Sequence, residues 1–174
     1  YASLVDSGAM GTDTSEVGGG WTTGTDSRGD YVTMGGTGTF LRWQYDLGTD
    51  DFTVEIDLTL SSLSGSAATF ELNGNSHFGF EGGCNCVFLE GPFFGGSLTE
   101  LASSSTFGIQ EGANGLFRVE RQGDQFQFFW DGNLVTSYSS SEAVTSLGLR
   151  PWRATMKVYS WVVSMSEPAE DHPA

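Results

Sequence analysis

The chain has 174 residues, a length that fits one domain and supplies enough chain for a substantial core. Its formal net charge is −15, with 22 acidic residues against 7 basic ones, and such a surface repels phosphate backbones and anionic membrane surfaces, so nucleic acid is not an expected partner. No apolar run is long enough for a transmembrane helix, so no membrane insertion is expected.

The 25 glycines beside 13 Phe, 5 Trp and 5 Tyr predict many short strands joined by tight turns. In the N-terminal third, Gly18-Gly19-Gly20 and Gly35-Gly36 punctuate short strands around Val5, Trp21, Tyr31 and residues 40–45. The clearest strand is 51–60, where Phe52, Val54, Ile56, Leu58 and Leu60 share one face and Thr53, Glu55, Asp57 and Thr59 the other. Strands at 67–72 and 77–81 flank the turn Asn73-Gly74-Asn75, and 87–90 and 98–101 follow. Residues 115–122 and 125–130 pair about Gly123-Asp124, and Asp131-Gly132 is a hairpin turn into 134–138. After a polar loop at 139–142, strands at 147–150 and 153–163 complete the pattern. Residues 1–166 form one all-β domain, an antiparallel β-sandwich or barrel, and residues 167–174 read as a polar tail or linker.

Cys84 and Cys86 are separated by one residue, which suits two thiols or a strained local disulfide better than zinc, since His77 and His172 are the only histidines. No Gly-x-Ser-x-Gly elbow and no phosphate loop is present.

At 115–135 a strand with basic residues turns into a second strand that ends in Asp131-Gly132, and 51–57 reads Asp-Phe-Thr-Val-Glu-Ile-Asp. Both segments resemble the concanavalin A-like lectin/glucanase superfamily, including its laminin-G-like domains. The segments 76–82, 89–95 and 148–156 are similar to β-sandwich domains that accompany bacterial secreted sialidase-like and other glycoside-processing enzymes. This resemblance, over residues 38–163, implies a jelly-roll sandwich, a carbohydrate partner, and a secreted, extracellular parent with further domains. The Asp-box of the sialidase propeller is absent, so the resemblance is to an accessory domain. Laminin-G-like and lectin relatives often bind calcium. Asp26, Asp30, Asp50 and Asp51 are the loop oxygen donors such an ion would use, without a twelve-residue loop pattern. Hydrolases of the superfamily carry Glu-x-Asp-x-x-Glu on one strand. Glu55-Ile56-Asp57 matches its first half, but Leu60 replaces the second Glu, which leaves the pair as the polar face of an amphipathic strand.

Sugars offer hydroxyls to hydrogen-bond and C–H faces to stack, so their sites join aromatic rings to charged side chains. Arg150-Pro151-Trp152-Arg153 places two guanidinia about an indole at a strand break set by Pro151, a set that suits an acidic sugar such as a sialic or uronic acid. Glu90-Gly91-Pro92-Phe93-Phe94 is the second candidate: two adjacent Phe on an extended chain point to opposite sides, which exposes one as a binding patch, whereas a loop folded over the sandwich buries both. His77, in an apolar strand, and Tyr45, near a turn, are candidate rim residues, whereas Trp21, Trp43 and Trp130 suit the core. The reading is a carbohydrate-binding accessory domain. The alternatives are a hydrolase or lyase of the same fold, favoured by converging carboxylates, and a protein-binding module, favoured by a flat apolar patch.

Overall fold

A computed structural model describes residues 2–6, 9–10, 16–17, 21–35, 40–63, 67–82, 86–96, 98–103 and 107–165. The strands among them are, in chain order, β1 (Ala2–Asp6), β2 (Ala9–Met10), β3 (Glu16–Val17), β4 (Thr22–Asp26), β5 (Gly29–Gly35), β6 (Leu41–Gly48), β7 (Phe52–Ser62), β8 (Ala67–Leu72), β9 (Ser76–Glu81), β10 (Cys86–Glu90), β11 (Thr99–Ser103), β12 (Asn114–Gln122), β13 (Gln125–Trp130), β14 (Asn133–Ser139), β15 (Val144–Trp152) and β16 (Thr155–Met165). They form two antiparallel sheets. One has the order β14-β13-β12-β7-β16-β1-β2, with β5 also on β16 and β4 on β5; the other has the order β11-β10-β9-β8-β15-β6-β3.

Period-two alternation puts one face of each sheet into a common core. Phe52, Val54, Ile56, Leu58 and Leu60 of β7 are all buried, as the alternation predicts. Phe78, from the seven-stranded sheet, stacks between Phe117 and Phe128 of the nine-stranded one, with ring centroids 5.4 and 4.4 Å away. Trp43 and Trp130 are core residues, and Trp21 packs half-buried against the core. Asp131 and Gly132 both have positive φ, 47° and 81°, as the two-residue hairpin turn requires.

Two expectations change at this level. Pro151 does not break its strand. β15 runs through it to Trp152, because β6 ends at the pairing of Leu41 with Leu149 and leaves one side of β15 open at the proline. The reversal into β16 falls instead at Arg153, which holds a left-handed φ of 59°. Phe93 and Phe94 are both buried, so of the two arrangements open to this loop it takes the one that folds both rings inward, and neither ring is a binding patch. Residues 92–94 form a 3-10 turn rather than extended chain, and both rings pack inward, Phe93 on Phe126 and Phe94 on Phe128 and Tyr138.

Candidate functional site

The outer face of the seven-stranded sheet carries the side chains that alternate with its core residues. Strand register arranges them in three transverse rows. The first is Arg42, Gly148, Glu71, His77 and Glu90, on β6, β15, β8, β9 and β10 in turn. The second is Arg150, Thr69, Gly79 and Phe88; the third is Trp152, Ala67, Glu81 and Cys86.

The first row is a chain of polar contacts. Glu71 is 1% exposed, and its Oε1 accepts from Arg42 Nε at 2.9 Å and lies 2.8 Å from Nη2. Arg42 and Glu71 are two strands apart, about 10 Å between backbones, so the guanidinium crosses over β15 at Gly148. A β-carbon on Gly148 would stand 2.9 Å from the Leu41 carbonyl oxygen and 3.2 Å from Glu71 Oε1, so glycine keeps this crossing uncrowded. Glu71 Oε2 is 3.2 Å from His77 Nε2. On the other side of the imidazole, Glu90 Oε1 is 3.1 Å from Nδ1. That contact meets no hydrogen-bond geometry. Burial pushes the Glu71 carboxyl up, and the hydrogen bonds from His77 and Arg42 with the charge of Arg42 outweigh it, holding the carboxyl below its ordinary value.

The second and third rows enclose a groove of about 380 Å³, at the small end of the roughly 300–1,000 Å³ typical of ligand sites. Ala67 and Thr69 are its low floor. Arg150 and Trp152 wall one side, Phe88 and Leu98 the other, and His77, Glu81 and Glu90 supply its further polar groups. Trp152 is 47% exposed, although the other tryptophans of β13 and β16, Trp130 and Trp161, are at 1% and 0%. The Arg153 guanidinium stacks on the Trp152 ring, 4.7 Å from its centroid. The Thr69 hydroxyl donates to the Arg150 carbonyl, which ties the floor to the wall.

Arg150, Trp152, His77 and Glu90, four residues singled out in the sequence, thus line one groove, with Arg153 beside it. Phe93 and Phe94 belong to the core. The Tyr45 side chain lies outside the described residues. Asp26 and Asp30 sit in the β4–β5 hairpin, where Asp26 accepts from Lys157 and Tyr159 and Asp30 from Thr25. Asp51 accepts from the Gly123 amide. Among the described residues no three His, Cys, Asp or Glu side chains come together to hold a metal ion. Cys86 is disulfide-bonded. Asp57 pairs with Arg28 at 2.5 Å, and Glu55 is exposed, both on the outer face of the other sheet, so the partial Glu-x-Asp match lies away from the groove. Sequence reasoning missed Arg42, Thr69, Glu71, Glu81, Phe88 and Leu98 as parts of the site.

No protein-family model matches the chain, and no curated protein matches it in sequence. Solved structures do resemble it. A carbohydrate-binding module, CBM66 from Bacillus subtilis, is similar at 19% identity over 86% of this chain and 94% of that one, with a TM-score of 0.58. The alginate lyase AlgAT5, from polysaccharide lyase family 7, is similar at 16% identity over 83% of this chain and 82% of that one, also at 0.58. A sialidase is similar at 8% identity over 84% of this chain but only 17% of its own, at 0.59. At these identities the likeness is one of fold: the chain is a jelly-roll β-sandwich. No helix among the described residues is long and apolar enough to cross a membrane.

Proposed function

We propose that the chain is a carbohydrate-binding domain whose site is the groove on the seven-stranded sheet. The observation that carries this reading is Trp152: a half-exposed indole standing over a floor of Ala67 and Thr69, with the acceptors Glu81 and Glu90 and the imidazole of His77 within the same groove. A flat ring for the C–H face of a sugar and polar groups for its hydroxyls are the two components glycan recognition needs. The fold likeness to a carbohydrate-binding module supports the reading. In the same reading the domain is non-catalytic and serves an extracellular glycan-processing protein alongside other domains. Glu81 and Glu90 face the groove from neighbouring strands, but their positions differ by four residues along the strand direction, about 13 Å. Retaining and inverting glycosidases hold their carboxylates about 5–9.5 Å apart, so this pair favours binding over hydrolysis.

The test is a glycan array of the purified domain, run with calcium and with a chelator, followed by calorimetry on the best ligand. Trp152→Ala is expected to weaken binding about tenfold or more while the fold, read by circular dichroism, is kept. Unchanged affinity in a folded Trp152→Ala variant would overturn the assignment of the groove, and a folded domain that binds no glycan would overturn the function.

A further inference from the structure

The pairing of the cations carries a second step. The chain has seven basic residues and 22 acidic ones, so a cation left without a carboxylate or carbonyl partner runs against the odds. Arg28 pairs with Asp57, Arg42 with Glu71, Arg118 with Glu120 and Lys157 with Asp26. Arg121 is buried and donates to the carbonyls of Gly48, Gly123, Ser140 and Glu142. The two others, the Arg150 and Arg153 guanidinia, make no ion pair and no side-chain hydrogen bond to any described residue. They flank the one exposed tryptophan among the described residues, in and beside the groove.

We infer that the groove takes an anionic glycan, its carboxylate or sulfate held by Arg150 with Arg153 adding charge at the rim. This rests on the carbohydrate reading and narrows it to acidic sugars. A guanidinium fork fits a two-oxygen anion with two parallel hydrogen bonds, and a fork with no protein partner keeps all its donors for a ligand. Arg150 and Trp152 lie two residues apart on one face of β15, about 7 Å, so an anion on the first leaves the attached ring over the second. The carboxylates of the groove do not oppose this. Glu81 and Glu90 stand on β9 and β10, two and three strands from β15, about 10–14 Å, at or beyond the roughly 8 Å screening length of physiological salt. They are placed for the hydroxyl end of the ligand. Arg153 stacks on the indole, so it also fixes the ring.

The net charge of −15 makes the test clean, because a protein so acidic does not gather polyanions non-specifically. The measurement is calorimetry with uronate-containing, sialylated and sulfated oligosaccharides, the methyl ester of each carboxylated ligand, and neutral oligosaccharides. The expected result is binding of at least one acidic ligand, with its methyl ester or unsulfated counterpart weaker by tenfold or more. The carboxylate and sulfate arms identify which oxyanion is bound. Arg150→Ala is expected to lose on the order of 10–100-fold, Arg150→Lys to lose less, and Arg118→Ala on the opposite sheet to lose nothing. Raising salt is expected to change affinity little, since screening weakens the long-range repulsion as well as the local attraction. Binding confined to neutral glycans and lost in Trp152→Ala would overturn the anionic inference and leave the carbohydrate reading intact. Equal affinity for acid and ester, or an unaffected Arg150→Ala, would do the same. Binding to none of these ligands by a folded domain would overturn both.

Discussion

Phe88 lies across the backbone of Gly79: a β-carbon built on Gly79 would stand 2.7 Å from the tip of the Phe88 ring and 2.8 Å from the Thr69 methyl. The two residues are register partners on β10 and β9, and Phe88 reaches the far wall of the groove only because its partner has no side chain. Gly79→Ala is therefore expected to lift the ring into the groove. Overpacking of this kind costs about 1–3 kcal/mol, and glycan affinity should fall with it. Calorimetry and thermal melting on the same variant check the coupling. Lost stability with unchanged affinity would mean that the ring yields away from the groove.

The fold was more legible than the site, and the reason is where the information lies along the chain. The alternation in 51–60 and the Asp131-Gly132 turn are local, and local rules read them. β8 is buried at every position, so Thr69 and Glu71 show no solvent face that alternation could reveal. The charged row depends on the order β6-β15-β8-β9-β10, which brings together residues far apart in sequence. One signal was available: an acidic residue inside the otherwise uncharged run 67–72 must find a cation if it is buried. An exposed Phe at 93–94 required extended chain, where successive side chains oppose one another, and the sequence left that open against a folded loop. A 3-10 turn advances by about a third of a revolution per residue, and both rings reach the core.

Arg121 replaces a salt bridge with backbone carbonyls. Its side chain is 1% exposed, stacks on Phe126, and donates at 2.9–3.2 Å to loops before β7, after β12 and after β14. It supplies positive charge at the end of the sandwich where Asp50, Asp51 and Asp124 are found. Arg121→Met keeps the packing and removes the donors. The expected cost is about 2–4 kcal/mol, since each stranded carbonyl costs about 1–3 and the loops can admit some water. Urea unfolding measures it. A loss under about 0.5 kcal/mol would show that the three loops hold without the guanidinium.

Beyond the backbone pairing of β5 with β16, one carboxylate ties the β4–β5 hairpin to side chains of β16. Asp26 Oδ2 accepts from Tyr159 Oη at 2.6 Å and from Lys157 Nζ at 3.0 Å, and Oδ1 accepts from the Arg28 amide at 2.8 Å. The Tyr159 hydrogen bond is the largest influence, and with Lys157 and the Arg28 amide it outweighs partial burial, lowering the carboxyl from 3.8 to about 2. A carboxyl depressed in the folded state adds stability that is complete above its unfolded value and is lost as pH falls through its folded one. The contribution of Asp26 is therefore present above about pH 4 and gone near pH 2. Unfolding midpoints of the native chain and of Asp26→Asn, measured across that window, are expected to differ at neutral pH and to converge in acid. Arg28 crosses from the same hairpin to Asp57, Thr59 and the Leu58 carbonyl and stacks on Tyr159, so it holds the hairpin independently of Asp26. Hydrogen exchange should accordingly show β4 loosened, not released, in the Asn variant. A difference between the two proteins that stays constant down to pH 2 would mean that Asp26 acts by packing and not by charge.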